Sequence, residues 1–261
     1  MATALRPLLV NRNVLLTTVV DELRKRYSAT VLGAGWNIIQ PLMFLALYGF
    51  VYVRIFKITI NGFSSVDYIL LIFTGLVPFL AFSEAMTAGA ATVVDNKSLV
   101  KNTLFPIELA PVRVVLVAMC GMLVGLTMLI GVLAGRGHAL PTQLLLPLIL
   151  VPHFLFMVGF VWVLSIVAVF FRDMLNLISA INLFLMMISP IGFTQEMIPS
   201  ELMPVMTFNP LYYIIMVYRG MLYTGNVPWD LLGIFSIASV IMFLAGYFVF
   251  SRLKVICADY L

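Results

Sequence analysis

Long apolar stretches separated by short polar segments constrain the fold of this 261-residue chain more than any other feature. Hydrophobic residues make up 63% of the sequence and charged residues only 10%, whereas soluble domains carry about 25% charged residues. A membrane-spanning helix needs about 20 apolar residues, so a chain of this length holds about six spans. The sequence therefore predicts an all-α membrane protein with one transmembrane domain over residues 1–261.

The predicted domain contains six transmembrane helices, preceded by an amphipathic helix at the membrane interface and interrupted by two short re-entrant helices before the last span. We expect the spans at about residues 33–54, 68–93, 114–134, 144–170, 174–188 and 231–250. Most of the 15 Lys and Arg residues then fall on the side that holds both termini. Because basic residues are retained on the cytoplasmic side, both termini are predicted to be cytoplasmic.

The predicted interface helix covers residues 11–30, where apolar residues recur at helical spacing. A plain basic anchor ahead of the first span explains the same pattern. Arg24, Lys25 and Arg26 lie near the end of this helix. They suit contact with a phosphate or pyrophosphate head group. Topology and ordinary lipid contact are the alternative explanation for this basic cluster.

The first predicted span carries a row of side chains at i, i+4 spacing, which places them on one face of a helix. Its members are Trp36, Gln40, Phe44, Tyr48 and Tyr52. Aromatic faces pack well against the CH groups of sugars, so the row suits the lining of a glycan channel. Interfacial aromatic belts combined with ordinary packing are the alternative.

Glu84 lies inside the second predicted span, where an ionisable side chain indicates a functional site by default. The alternative, which we favour, is an ion pair with Arg113 or with an arginine of the N-terminal helix.

A polar segment at residues 95–113 separates the second and third predicted spans. Its charged residues are Asp95, Lys97, Lys101, Glu108 and Arg113. Unpaired charges are too costly in hydrocarbon, so this segment must emerge at a membrane face, here predicted to be cytoplasmic.

The segment 189–226 is too interrupted by proline to span a membrane and too apolar for an ordinary loop. Short helices that dip into the outer membrane edge satisfy both conditions, since such backbone is tolerated only when it packs in protein or lines a cavity. Phe193 and Tyr212 are its candidate channel residues.

Several kinds of chemistry are missing from the sequence. No Walker A motif, GxxxxGK(S/T), is present, so the chain is not expected to bind ATP itself. The two cysteines are isolated and indicate neither a disulfide nor a metal site. We expect no cofactor, no enzyme activity and no nucleic-acid partner. An energised transporter of this kind would need a separate ATPase.

Four groups of residues resemble polysaccharide ABC-exporter permeases, a family that includes O-antigen, capsule and teichoic-acid exporters. The entry segment matches at Arg26, Tyr27, Leu32, Gly33, Trp36, Pro41 and Leu42, while Thr30 stands where the family has serine. The polar segment matches at Asn96, Leu99, Val100, Lys101, Phe105, Pro106 and Pro111. The turn formed by Phe171, Arg172 and Asp173 and the pair Asn209–Pro210 are similar to family landmarks.

The resemblance implies a homodimeric permease in the cytoplasmic membrane, paired with two copies of an ATP-binding subunit that hydrolyses ATP. The interface helix, the segment 95–113, Arg172 and Asp173 would receive the ATPase stroke. The segment 189–226 would form a periplasmic gate. The implied cargo is a lipid-linked polysaccharide, with O antigen the leading candidate, moved from the inner to the outer leaflet. Export of a drug or small lipid is one alternative, and a motor-independent channel or membrane enzyme is another.

Overall fold

The computed structural model describes residue 8 and residues 10–28, 31–57, 64–96, 106–171 and 173–260. Regular secondary structure in these ranges is entirely helical, which confirms the predicted all-α class. The helices are α1 (Arg12–Ser28), α2 (Trp36–Gly49), α3 (Ser65–Asp95), α4 (Leu109–Gly135), α5 (Leu146–Phe170), α6 (Met174–Ile188), α7 (Met203–Phe208), α8 (Pro210–Arg219) and α9 (Trp229–Tyr260). Short 3-10 helices lie at Gly33–Gly35, Pro141–Leu145, Gln195–Met197 and Ser200–Leu202, and π-helical turns extend α2 over Phe50–Ile55 and α8 over Gly220–Thr224.

Five helical segments of the described chain are long and apolar enough to cross a membrane. They are Trp36–Ile55, Ser65–Asp95, Leu109–Gly135, Pro141–Phe170 and Trp229–Lys254. The fifth predicted span corresponds to α6, which has 15 residues. At 1.5 Å per residue α6 is about 22 Å long, less than the hydrocarbon thickness of about 30 Å. A sixth span and the orientation of both termini stay predictions.

Two helices extend beyond the predicted spans. α4 begins at Leu109, inside the segment predicted to be a polar connection, and α9 continues to Tyr260 through the predicted tail. Both extensions carry charged residues. Arg113 and Lys254 of these extensions form ion pairs with other parts of the chain, as described below.

The closest helix contact in the core is the crossing of α5 and α9, which form the largest helix–helix interface. Gly159 and Gly246 lie at this crossing, and a Cβ atom on either would clash with backbone atoms of the other helix. Trp162, three residues after Gly159 on α5, is fully buried, with its ring centroid 5.1 Å from that of Phe243 on α9. Small residues let two apolar helices approach until their backbones touch.

α3 is the central helix, and α2 is the least buried of the candidate spans. α4, α5 and α8 surround α3, and glycines again permit close contact, as where Gly125 of α4 meets Val77 of α3. α1 packs on α4 through Leu15 and Val19, while Val14 and Leu16 face outward. The apolar residues of α1 therefore lie on two sides, one against the protein and one open.

The ion pairs mark two opposite ends of the bundle. At one end, here the Glu108 end, Glu108 meets Lys254 near the start of α4 and the end of α9. At the other, the Asp67 end, Asp67 at the start of α3 meets Arg136 after α4, with the charged atoms 3.1 Å apart. Because α3 and α4 are antiparallel neighbours, the described residues 95–96 and 106–113 lie at the first end.

The Asp67 end also contains the segment 189–226. A π-helical turn leaves backbone carbonyls without their usual partners, and side chains of the Pro141–Leu145 helix supply donors. Thr142 Oγ1 donates to the Met221 carbonyl at 2.8 Å, and Gln143 Nε2 donates to the Leu222 carbonyl at 3.1 Å. These hydrogen bonds fix the end of α8 to the connection between α4 and α5.

Candidate functional site

The charged residues at the start of α4 are held by internal ion pairs. Glu108 accepts a hydrogen bond from Lys254 Nζ at 2.6 Å, and Arg113 lies 3.7 Å from Glu22 of α1. The Glu108 and Arg113 side chains are each only 12% exposed. Trp162 Nε1 also donates to the Glu108 carbonyl at 3.0 Å. These contacts tie α4 to α1, α5 and α9.

This geometry corrects the placement of two predicted coupling residues. We expected Glu108 and Arg113 on an exposed polar connection, but both are largely buried, because oppositely charged partners compensate the loss of water. Asp95 and Asp173 are exposed, at the end of α3 and directly before α6. Lys97, Lys101 and Arg172 lie outside the described residues. A coupling role for all of these residues stays a prediction.

Glu84, near the middle of the α3 surface, pairs with Arg26 at the end of α1. Arg26 Nη1 donates to Glu84 Oε1, and the two side chains are 33% and 31% exposed. This contact confirms the alternative in which an arginine of the N-terminal helix is the partner of Glu84. Arg24 and Lys25 are exposed on the same helix, and their contact with a lipid head group stays a prediction.

A small cavity of about 40 Å³ lies beside the Arg26–Glu84 pair. Asn37 and Gln40 of α2 line it together with this pair, so polar groups from three helices converge at one place. A volume of 10–15 Å³ is about enough for one water molecule, so the cavity has room for solvent.

Polar contacts continue along α3 toward α6. Asn182 Nδ2 of α6 donates to Thr87 Oγ1 at 2.8 Å and to the Ser83 carbonyl at 3.3 Å. A polar strip thus runs along α3 between α2 and α6. It consists of Glu84 and Thr87 of α3, Gln40 of α2 and Asn182 of α6. Thr87 and Asn182 are not among the residues predicted from the sequence, although an asparagine within an apolar helix is the kind of residue that marks a polar contact inside a membrane.

The aromatic row on α2 is divided between exposed and buried members. Trp36 and Gln40 are exposed, whereas Tyr48 is 5% exposed and stacks on Tyr52 with ring centroids 5.8 Å apart. Phe44 and Tyr52 are half-buried. The placement of the row on one helix is confirmed for the described structure, but Tyr48 faces the protein interior and does not line an open path in this conformation.

The two candidate residues in segment 189–226 also differ. Phe193 is half-buried, but Tyr212 is only 3% exposed, packed edge-to-face with Tyr213. Tyr212 therefore reaches no open surface here, because the apolar face of α8 that carries it is the one that packs on the core. Whether either residue lines a channel stays a prediction.

A turn at residues 189–193 follows α6 and is held by α2, α3 and α8. Arg219 donates to the carbonyls of Pro190, Ile191 and Phe193 at 2.8, 3.1 and 3.0 Å. Tyr68 OH donates to the carbonyl of Gly192. Four successive carbonyls of the turn thus receive side-chain donors from neighbouring helices.

Gly192 is needed in this turn because the ring of Tyr52 lies directly against its Cα atom, which leaves no space for a side chain. The first span and the segment 189–226 therefore touch through Tyr52, a member of the predicted aromatic row.

Arg219 is more deeply buried than any other described lysine or arginine, with 4% of its surface exposed. Burial lowers the pKa of Arg219 to about 10, so the guanidinium remains charged at neutral pH. Among the described residues, backbone carbonyls rather than a carboxylate stabilise this charge, by accepting hydrogen bonds from the guanidinium. Arg219 is not among the residues predicted from the sequence, although an arginine in the apolar run YYIIMVYRG is a recognisable signal.

The segment 189–226 forms short helices, as predicted. Asn209 caps α8, with its Oδ1 accepting from Leu211 N at 3.0 Å, and its Nδ2 donates to Ser189 Oγ at 3.0 Å. Asn209 therefore links the start of α8 to the end of α6. The re-entry of these helices into a membrane stays a prediction.

Spanning helices around α3, a polar strip along them and a broken helical segment at one end define a multi-pass helical membrane protein. A family model described as ABC-2 type transporter matches residues 14–223, and the chain belongs to this family. The chain is thus a transporter membrane subunit, and the resemblance to polysaccharide ABC-exporter permeases is confirmed.

The chain is similar to O-antigen export permeases over nearly its whole length. An O-antigen export system permease protein RfbA of Klebsiella pneumoniae is 26% identical over 244 residues, which cover 93% of this chain and 92% of that protein. An RfbA protein of Myxococcus xanthus with the same description is 24% identical over 232 residues, 87% of each chain.

Proposed function

We propose that this chain is the transmembrane subunit of an ATP-driven exporter that moves a lipid-linked polysaccharide, O antigen in particular, from the inner to the outer leaflet of the cytoplasmic membrane. The observation that carries the proposal is the similarity to O-antigen export permeases over 93% of the chain.

The described surface supports a cargo that is polar and carries hydroxyl groups. The polar strip offers amide, hydroxyl and carboxylate groups beside the exposed aromatic ring of Trp36. Hydroxyls of a sugar chain both donate and accept hydrogen bonds, and its CH faces pack on aromatic rings. A path with many weak contacts of this kind lets a long polymer bind and slide.

The motor in this proposal is a separate ATP-binding subunit, present in two copies with two copies of the permease. The Glu108 end is the expected docking surface, because α1 meets the start of α4 there through the Glu22–Arg113 pair and reaches the middle of α3 through the Arg26–Glu84 pair. A subunit that pushes on α1 or on the segment 95–113 would move helices that are bonded to the polar strip.

Gene deletion followed by complementation tests the proposal. Loss of the permease should abolish the surface polysaccharide and leave lipid-linked glycan on the inner leaflet, measured by gel analysis of envelope lipids and by lectin binding to intact cells. The wild-type gene should restore both, and tagged permease should co-purify with an ATP-binding subunit. An unchanged surface polysaccharide after deletion would exclude the proposed cargo.

A cargo control separates glycan export from export of small molecules. Replacing Trp36 and Phe44 with alanine should lower surface polysaccharide, while resistance of the cells to hydrophobic drugs should not change. Loss of drug resistance with intact surface glycan would instead support a small-molecule exporter.

A further inference from the structure

A polar cleft of about 420 Å³ opens at the Asp67 end of the molecule. One wall is the Gln195–Met197 helix with the residue before it, and the other is the turn that leads from α8 to α9. Its polar lining residues are Thr194, Gln195, Glu196, Thr224 and Asn226. Leu71, Met216 and Leu231 supply an apolar part of the surface. A cleft of this volume is within the range of about 300–1,000 Å³ that small-molecule sites occupy.

The polar side chains in this cleft are available to a ligand. Within the described part of the chain, no hydrogen bond or ion pair engages the side-chain groups of Gln195, Glu196 or Asn226. Two amides and a carboxylate provide both donors and acceptors. Since a sugar hydroxyl both donates and accepts, this combination beside an apolar patch matches a saccharide ring.

Both walls of the cleft are anchored to the protein. Arg219 also lines the cleft, and its three hydrogen bonds to the carbonyls of residues 190–193 fix the backbone that leads into Thr194. Gly225 makes the turn that leads into Asn226. Its φ of +71° lies in the left-handed region, which favours glycine. A site built on fixed backbone loses less conformational entropy when it binds.

We propose that this cleft binds a neutral saccharide unit of the exported glycan as it leaves the permease. The inference rests on the proposed function. An anion is disfavoured because both terminal nitrogens of Arg219 already donate to carbonyls, its Nε is buried, and Glu196 adds negative charge. A hydrophobic drug is disfavoured because it would leave the polar rim unpaired.

Binding of a delipidated glycan to the purified permease in nanodiscs tests the site. The probe is the surface polysaccharide of the host strain, released from its lipid and cut to short oligosaccharides, with binding followed by saturation-transfer NMR. Replacing Gln195 or Asn226 with alanine removes hydrogen bonds worth about 1 kcal/mol each, so we expect affinity to fall about fivefold in each variant and more in the double variant.

Glu196→Gln and Glu201→Gln form a matched pair of controls. Glu196 lines the cleft on one short 3-10 helix, whereas exposed Glu201 lies outside it on the next. Affinity should change in Glu196→Gln and stay at the wild-type value in Glu201→Gln. All four positions that are replaced lie on the surface, and unchanged thermal unfolding will confirm that each variant is folded.

Two results would overturn the saccharide site. One is wild-type affinity in the Gln195→Ala/Asn226→Ala variant, and the other is displacement of the oligosaccharide by inorganic phosphate. The gene deletion distinguishes these failures from failure of the proposed function. If deletion abolishes surface polysaccharide but the double variant binds normally, the function stands and the cleft is not the site.

Discussion

The backbone contact between α5 and α9 gives a sharp test of the fold. In Gly159→Ala the new Cβ would clash with the Met242 carbonyl, which belongs to backbone and not to a flexible side chain. Overpacking of a core costs about 1–3 kcal/mol, and a clash with backbone, which cannot rotate away, takes the upper part of that range, about 2–3 kcal/mol. Alanine gains up to about 1 kcal/mol over glycine in a helix, so the net loss is about 1–2 kcal/mol. For a chain of this size, about 2–4 °C of Tm accompanies each kcal/mol, so we expect the Tm to fall by about 2–8 °C.

Gly131→Ala is the matched control for this prediction. Gly131 lies in the last two turns of α4, and a Cβ there meets no described atom within 4 Å. Its Tm should therefore stay unchanged or rise slightly. The assay is thermal unfolding followed by tryptophan fluorescence in one detergent for wild type and both variants. Equal Tm values for the two variants, or a higher Tm for Gly159→Ala, would refute the close crossing of α5 and α9.

Three further predictions concern buried or half-buried charges. The first is a double-mutant cycle with Glu108→Gln and Lys254→Met. The unfolding free energies should give a coupling energy of about 1–2 kcal/mol, between the values for exposed and buried ion pairs. Additive effects of the two substitutions would exclude the ion pair. Exchange of Arg26 and Glu84 should restore part of the surface-polysaccharide export that Arg26→Glu or Glu84→Arg alone reduces, and no recovery would argue against their contact. Arg219→Met leaves three carbonyls without a donor and should lower stability by about 3 kcal/mol, with Arg219→Lys losing less in thermal unfolding; equal stability of the three proteins would contradict its role in holding the turn.

The sequence was sufficient to predict the helical class and the approximate position of most spans, because hydropathy depends on composition along a short window. It also predicted the partner of Glu84 correctly as one of two choices, since a carboxylate in a span needs a nearby cation. These inferences depend on local pattern alone.

The misplaced and missing residues depend on contacts between distant parts of the chain. Glu108 is buried because Lys254, 146 positions away, lies beside it, and no local pattern indicates that pairing. Tyr48 belongs to the predicted row, but which face of α2 packs on α3 is decided by the tertiary fold. Gly159 and Gly246 form their contact only when α5 and α9 cross, so no pattern within one helix indicates it.

α3 connects the two ends where function is expected. Glu84, which α1 contacts through Arg26, and Tyr68, which holds the turn at Gly192, lie about 24 Å apart along the same helix at 1.5 Å per residue. Pro78 lies between them within the helix and removes one backbone hydrogen bond, which is a common cause of bending. In the proposed exporter, a force applied to α1 would reach the turn through a helix with one weak point. We therefore predict that the angle at Pro78 sets how much of the motion arrives at the segment 189–226.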